Sequence, residues 1–371
     1  MSEESNMLEK EPLLSICILT YNRARSLELL LMALKKQVKP FISQIEIVIS
    51  DNASTDDTQQ VIEDAQKEIP IVYHRNAENI GMIANVMEAP KHATGRFIWL
   101  LGDDDMIIKG KLEKIIRVLE DCHLLDFVFV NSATERMAFR EELITNRDCE
   151  YDTAGKLVFC SDFEDRVLPR WEDVFLLESF LSPAQYTPIV HGIIRRIRWE
   201  AQVDYVTQKL HLPFNSTLET TYPHTVVQAR AMVGRAIYYI GEPCVVMGIG
   251  DQKWSDYSHF LWVVRKYDLA KLYKDLGADP RTIRKIKYDI LQQNRLLLPQ
   301  FLENDNHLGK EYFSMRVFIW HNRQHPVMLL NLLAGLYMPP FKKWYSYLPK
   351  PIKQMWRFTK RLITGRRSQS I

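Results

Sequence analysis

The chain has 371 residues, 46% hydrophobic and 25% charged, without a low-complexity tract; this leaves room for one large α/β domain plus an appended region and excludes a disordered chain. The formal net charge of +2 lacks the basic excess of a nucleic-acid-binding domain. Five cysteines, without a CxxC pair, offer neither a zinc-finger nor a disulfide framework and fit a reducing, cytoplasmic setting.

Residues 1–12 are polar and acidic, read as a disordered leader and unlike a signal peptide. Leu13 to Leu19 is almost wholly apolar, the pattern of a strand buried on both faces of a parallel sheet. TYNRARS follows, then Leu27, Leu30, Leu31 and Leu34 at helical spacing. Ile45 to Ser50 predicts a second buried strand, closed by Asp51 and DNASTDD, with Ser54 or Thr55 as N-cap of a helix reaching Lys67. A third strand spans Ile71 to His74, and a helix starts near Met82. A fourth strand, Phe97 to Leu101, ends on GDDD; a helix from Lys111 to Asp121 leads to a fifth strand, Phe127 to Val130. From Thr134 to Arg170 the pattern predicts loops with short elements. Beyond it come a strand at Ile189–Ile194, helices around Trp199 and over Thr225–Arg235, and a strand at Ile237–Ile240. After Ser255 the chain reads as helical.

Alternating strands and helices mean βαβ units and a parallel or mixed sheet. Ligands of such sheets bind beyond the carboxyl ends of the strands. The clusters Thr20–Arg23, Asp51–Asp57, Asn76–Gly81 and Gly102–Asp105 all follow strand ends, so they converge on one crevice. Three adjacent carboxylates, Asp103, Asp104 and Asp105, call for a compensating cation. Mg²⁺ or Mn²⁺ shared with phosphate oxygens suits an all-oxygen donor set; a solvated acidic turn is the alternative. Asp51 suits either a hydrogen bond from a uracil or thymine imide or the organisation of its own turn. Thr20, Tyr21 and Arg23 offer a hydroxyl, a stacking ring and a phosphate partner, and Tyr21 suits packing equally. Asn79 and Gly81 form a turn in which the glycine lets backbone approach a ligand.

SICILTYNR, ISDNASTDDT, NIGMIAN and ATGRFIWLLGDDD, in that order over residues 13–130, resemble the inverting family 2 glycosyltransferases of GT-A fold. The resemblance implies a Rossmann-like mixed sheet flanked by helices, spanning residues 13–250. Its donor half would be 13–132 and its acceptor half 133–250, with a helical region at 251–371. It implies nucleoside contacts from Thr20, Tyr21 and Asp51, and further donor contacts from Arg23, Asn79, Asn85, Asp103 and Asp104. Asp103 and Asp105 would be the metal-binding carboxylates. The GDDD variant resembles that of transferases building bacterial surface polysaccharides from deoxyhexoses such as abequose. The donor is then a UDP, dTDP or CDP sugar and the acceptor a saccharide or a lipid-linked one. Many relatives carry a basic residue before the helix asparagine, where this chain has Ala84 before Asn85; diphosphate contact then falls to another cation, such as Arg75.

Inverting transfer needs a base for the acceptor hydroxyl. Relatives supply an Asp or Glu from an E-D pair opening a helix, after a segment that IIRRIRWEA (193–201) resembles. Here that helix start reads LETTYPHTVVQARA, without the pair. His224 and Glu219 are the candidates; a histidine at a helix start also serves as a cap or packing residue. GIGDQKWSDY (248–257), with Gln252 and Trp254, suits a flap over the donor. From Phe341 to Ile371 there are nine Lys/Arg and no Asp/Glu, interleaved with Trp344, Tyr345, Tyr347, Trp356 and Phe358. This tail suits peripheral docking on an anionic membrane at the inner face of the plasma membrane, against a simply solvated tail. The apolar run Val327–Met338 is too short to span a bilayer, which takes roughly 20 residues. A sugar nucleotidyltransferase would open its first strand onto a Gly-rich loop, which TYNRARS lacks. A non-catalytic sugar-binding or scaffold protein would have lost the acidic pair, as this chain has, but would not need GDDD.

Overall fold

The computed structural model describes residues 11–122, 124–154, 156–177, 189–249, 258–303, 310–323, 325, 326 and 329. They divide into two units, one of 11–249 with 272–282 and one of 258–271 with 283–329. Residues 272–282 belong to the first unit. Tyr273 packs there against Trp171 and Phe175, and Asp279 pairs with Arg170 at 2.6 Å.

The first unit is built on a nine-stranded mixed sheet. Its elements are β1 (Leu14–Thr20), α1 (Ala24–Val38), β2 (Ile45–Asp51), α2 (Thr58–Gln66), β3 (Ile71–Arg75), α3 (Met82–Glu88), β4 (Phe97–Gly102), β5 (Met106–Ile107), α4 (Lys111–Asp121), β6 (Phe127–Arg136), α5 (Met137–Asn146), β7 (Arg166–Leu168), β8 (Gly192–Arg195), α6 (Arg196–Thr207), α7 (Pro223–Met232) and β9 (Ile237–Ile249). The strand order is β3-β2-β1-β4-β8-β6-β9-β5, with β7 beside β9. β1, β2, β3 and β4 run parallel, whereas β8 is antiparallel to both β4 and β6. The continuous apolar runs of β1 and β4 are buried along their length, because helices cover both faces. The predicted leucine stripe of α1, Leu27, Leu30, Leu31 and Leu34, is buried in the same core as the strands.

The order carries a functional consequence. From β1 the chain winds outward through β2 to β3, then returns to place β4 on the other side of β1. The β1/β4 boundary is therefore the topological switch point, where the connecting loops diverge and leave a crevice.

Three sequence expectations change. The cap of α2 is neither Ser54 nor Thr55: the helix starts at Thr58, whose N–H donates to Asp56 Oδ1 at 3.2 Å. Asp56 Oδ2 also accepts from the N–H of Ala24, at the start of α1. Ser54 and Thr55 are used across strands instead; Asn22 N–H donates to Ser54 Oγ at 2.8 Å, and Thr55 N–H to Asn22 Oδ1 at 2.7 Å. Residues 134–170, expected as loops, contain the ten-residue helix α5. The strand expected over Ile189–Ile194 is a 3₁₀ turn, Ile189–His191, followed by β8.

β6 is longer than predicted because it pairs with β9 in two registers, Val130↔Ile240 and then Ser132↔Val245. Asn131 holds the irregularity, its amide donating to the carbonyls of Cys160 and Gly241. Such a bulge re-aims the side chains beside it. All five cysteines are free.

The second unit is helical, with α8 (Ser258–Phe260), α9 (Lys266–Asp275, of which 272–275 lie in the first unit), α10 (Pro280–Glu303) and α11 (Met315–Asn322). The buried Tyr267 hydroxyl sits between Asn294 and Asn322. Among the described residues no helix is long and apolar enough to cross a membrane. The flap from 250 to 257, with Gln252 and Trp254, and the basic aromatic tail with the run Val327–Met338, lie outside the described residues (Leu329 alone excepted); Gly248 and Ile249 end β9.

Candidate active site at the switch point

The loop after β1 and the loop after β4 meet at the β1/β4 boundary. Thr20, the last residue of β1, donates its hydroxyl to Asp103 Oδ2 at 2.8 Å. Arg23 bridges the same gap, with one guanidinium nitrogen 2.9 Å from Asp103 Oδ1 and another 3.1 Å from Asp104 Oδ2. Asp105 turns back on its own strand and accepts from Gly102 N–H at 2.7 Å. A Cβ at 102 would come within 2.7 Å of Asp104 Oδ1 and 3.2 Å of Asp105 Oδ2, so a larger residue there would displace those carboxylates.

The electrostatics explain why two arginines gather here. Burial pushes the Asp103 carboxyl up to about 7, opposed by Arg23, while Asp104 pushes the same way as burial. Burial, reinforced by Asp104, also drives Asp105 well above the ordinary carboxylate range. Arg23 faces the solvent side, about a third exposed. Burial works against its charge, but Asp103 and Asp104 hold it more firmly than usual. The second cation, Arg140, went unseen in the sequence. It projects from α5, is fully buried, and donates to the carbonyl oxygens of Ser26 at 3.0 Å and Asp103 at 3.3 Å. Burial lowers its pKa, and the three aspartates oppose that shift. Its signal was weak: Arg140, Leu143 and Ile144 share one helical face and are all buried, but no pattern marks an arginine on such a face as functional.

Three carboxylates at one turn, two of them buried and driven toward protonation when only arginines face them, form a donor set that suits a hard divalent cation.

On the other side of β1, Asp51 is fully enclosed. Its Oδ1 accepts from Ser54 N–H at 2.9 Å and its Oδ2 from the Tyr73 hydroxyl at 2.9 Å. The turn-organising role is thus built in full. Arg75, considered for the diphosphate, donates to Gln59 Oε1 and to the Ser54 carbonyl, so it ties down the same turn. Asn85 is buried: its Oδ1 accepts from Ser50 Oγ and Asn76 Nδ2, and its Nδ2 donates to the Ser50 carbonyl. It braces the end of β2. Asn79 Oδ1 accepts from Asn52 Nδ2 and Gly81 N–H. Gly81 itself takes φ +84° with open space around it, so its need for glycine is conformational. Tyr21 is 41% exposed at the mouth of the crevice, free to stack.

The two base candidates differ sharply. Glu219 forms an ion pair with Lys209; burial works to raise its pKa, but Lys209 and local hydrogen bonds hold it below the ordinary range. A carboxylate so stabilised is a poor base. His224 is buried in the first turn of α7. It neighbours a residue the sequence reading passed over, His191, which sits in the 3₁₀ turn before β8. Because β8 runs antiparallel, that turn lies beside the carboxyl-terminal half of β4 and the middle of β6. His191 Nε2 is 2.8 Å from Ser132 Oγ, and Phe129 and Phe159 lie against its ring. Burial, helped by His224, pushes His191 down to about 3. It therefore stays neutral at physiological pH and cannot itself carry a transferred proton.

Comparison with known proteins agrees with this geometry. Residues 15–161 match glycosyl transferase family 2. The abequosyltransferase RfbV of Salmonella typhimurium is 29% identical over 241 residues, covering 63% of this chain and 66% of that protein. The GalNAc(5)-diNAcBac-PP-undecaprenol beta-1,3-glucosyltransferase of Campylobacter jejuni is 26% identical over 144 residues, covering 38% of this chain and 45% of that one. The chain thus spans just under two thirds and under half of these curated relatives. Among solved structures, TarS of S. aureus aligns with a TM-score of 0.52 at 16% identity, over 92% of this chain and 50% of that one. At that identity the likeness is one of fold, and the fold is of GT-A type. Residues 15–161 thus resemble a family 2 glycosyltransferase domain.

Proposed function

We propose that this domain transfers a sugar from a nucleoside diphosphate, of the UDP, dTDP or CDP kind, to a saccharide or lipid-linked acceptor in surface polysaccharide synthesis, with inversion at the anomeric carbon. The observation that carries the reading is the carboxylate cluster at the β1/β4 switch point, bridged by Thr20 and Arg23. Asp103 and Asp105, with Asp104 beside them, would hold Mn²⁺ or Mg²⁺. When bound, that cation neutralises the diphosphate leaving group. The nucleoside lies over Tyr21 and against the turn that Asp51 and Ser54 maintain, within reach of Asn79. Arg23 exchanges its aspartate partners for the diphosphate, filling the role that no basic residue before Asn85 can take. Its partial exposure and its place on the solvent side of the cluster support this exchange.

His224 takes the proton of the acceptor hydroxyl as that oxygen attacks the anomeric carbon. Neutral imidazole is a competent base near pH 7, whereas Glu219 is held by Lys209. The names of the two curated relatives, an abequosyltransferase and an undecaprenol-linked glucosyltransferase, support a deoxyhexose donor and a lipid-linked acceptor. The composition of the tail after Phe341 supports peripheral docking on an anionic membrane. A thermal-shift screen of nucleotide sugars with Mn²⁺ tests the core of the reading. One nucleotide class should raise the melting temperature in the presence of Mn²⁺, and Asp105→Ala should abolish that rise. No Mn²⁺-dependent stabilisation by any nucleotide, with Asp105→Ala indistinguishable from the parent, would end it.

A further inference from the structure

β3 is the outermost strand on its side of the sheet, and its fourth residue is His74. The end of α3 and the 3₁₀ turn after it, Ala89–His92, bring Glu88 and His92 to the same place. The His74 and His92 rings lie face to face, 4.0 Å between centroids and 22° apart. Glu88 Oε1 is 3.5 Å from His92 Nε2, beyond a good hydrogen bond. One ligand atom from each of the three residues lies within 4.8 Å of the others. His92 Nε2 is shielded from solvent and makes no hydrogen bond. A plain hydrogen-bonded salt bridge would have satisfied it.

The surrounding network selects the His74 tautomer. Asn76 donates its amide nitrogen to Asn52 Oδ1 at 3.1 Å and to Asn85 Oδ1 at 3.0 Å. Its oxygen is therefore the atom 3.1 Å from His74 Nε2, and that nitrogen must donate. The lone pair then resides on Nδ1. An imidazole whose second nitrogen donates to a fixed oxygen is the usual outer support of a metal ligand. Two imidazoles and one carboxylate form the mixed nitrogen and oxygen set that zinc-class cations prefer over Mg²⁺ or Ca²⁺. Tetrahedral zinc needs ligand atoms about 3.4 Å apart, so the three must close by up to about 1.4 Å, and the two stacked rings must turn so that both lone pairs face one ion.

We propose that His74, Glu88 and His92 bind a zinc-class divalent cation at a second site, separate from the carboxylate cluster, with a fourth position left for water. The site supplies no chemistry to sugar transfer. Through Asn76 it is joined to Asn52 and Asn85, and so to the ends of β2 and β3 that form the turn around Asp51. Bound cation therefore stiffens the nucleoside side of the crevice. This inference does not depend on the proposed transfer, and its test reads zinc rather than activity.

The experiment titrates zinc into the full chain labelled with ¹⁵N-histidine, in an Asp105→Ala background so that the oxygen site does not compete. One equivalent of zinc should shift the ring nitrogens of two histidines, assigned by their absence in His74→Gln and His92→Gln, and should raise the melting temperature. Each glutamine variant should weaken zinc binding at least tenfold, as should Glu88→Gln. Lys91, exposed and paired with Glu88, competes for the carboxylate without forming the site. Lys91→Ala should therefore tighten zinc binding, and it tests the site even where a ligand variant fails to fold. Unmoved His74 and His92 signals, or zinc affinity equal in parent, Glu88→Gln and Lys91→Ala chains, would overturn the proposal.

Discussion

Two regions of the first unit, which the proposed function makes its donor and acceptor walls, solve opposite electrostatic problems. On the donor wall, where β1 meets β4, three aspartates crowd one turn and are held by two arginines, Arg23 from the solvent side and Arg140 from within. On the acceptor wall, where β6, β8 and α7 meet, burial and aromatic rings set the state of the key imidazole. His191 is kept uncharged among aromatic rings, with Ser132 as its partner and His224 beyond. The donor wall is a charge store that suits a cation and phosphates. The acceptor wall is an aromatic, buried environment that keeps an imidazole uncharged.

The largest effect should come from breaking the charge store. Asp105→Ala should cut donor turnover by about a thousandfold or more, read as nucleotide release, while the melting temperature holds or rises because a poorly solvated carboxylate is gone. A fall in activity matched by unfolding would make the cluster structural. Next comes the proton on the other wall. His224→Ala should lower transfer by roughly 10²- to 10⁴-fold with donor affinity unchanged, whereas Glu219→Gln should cost less than about tenfold. The reverse pattern would move the base to Glu219.

The inner cation can be tested by stability alone. Arg140→Met should destabilise the chain by about 3–5 kcal/mol, since it removes the buried one of the two counter-charges that face the carboxylates. Urea unfolding should show Mn²⁺ restoring part of that loss. An equal loss with and without Mn²⁺ would mean that Arg140 packs α5 rather than serving the cluster.

The smallest effect distinguishes the neutral wall. The folded pKa of His191 lies below its unfolded value, so the stability it contributes is present above pH ~6.5. That stability is lost as pH falls toward the folded value of about 3, by roughly 1.4 kcal/mol per pH unit. His191→Gln should flatten the decline in stability between pH 6.5 and pH 4.5 by that slope. Parallel declines in the two proteins would show that His191 is not held neutral.

The strand-end groups of the donor wall were legible in the sequence because each of them follows a buried strand directly. A run such as FIWLL carries its own register, so what comes after it must lie at the edge of the sheet. Thr20, Arg23 and Asp103 met as expected on that ground alone. The cap of α2 was misplaced because Ser54 and Thr55 bond to Asn22, a partner 32 or 33 residues away, and local preference cannot anticipate that competition. Arg140 stayed hidden because α5 falls in a stretch whose weak periodicity predicted loops. His191 stayed hidden because a lone histidine before a short strand carries no pattern.

Periodicity and strand-end chemistry were enough to determine the α/β architecture, the meeting of the loops after β1 and β4 and the carboxylate cluster, since hydrophobic runs and adjacent charges are local properties of the chain. Tertiary structure alone decided which cations face the aspartates, that Lys209 holds Glu219, that Asn85 braces β2, and that His191 stands by His224. Those pairings join residues far apart in sequence, and burial, which only the folded chain defines, sets their charges.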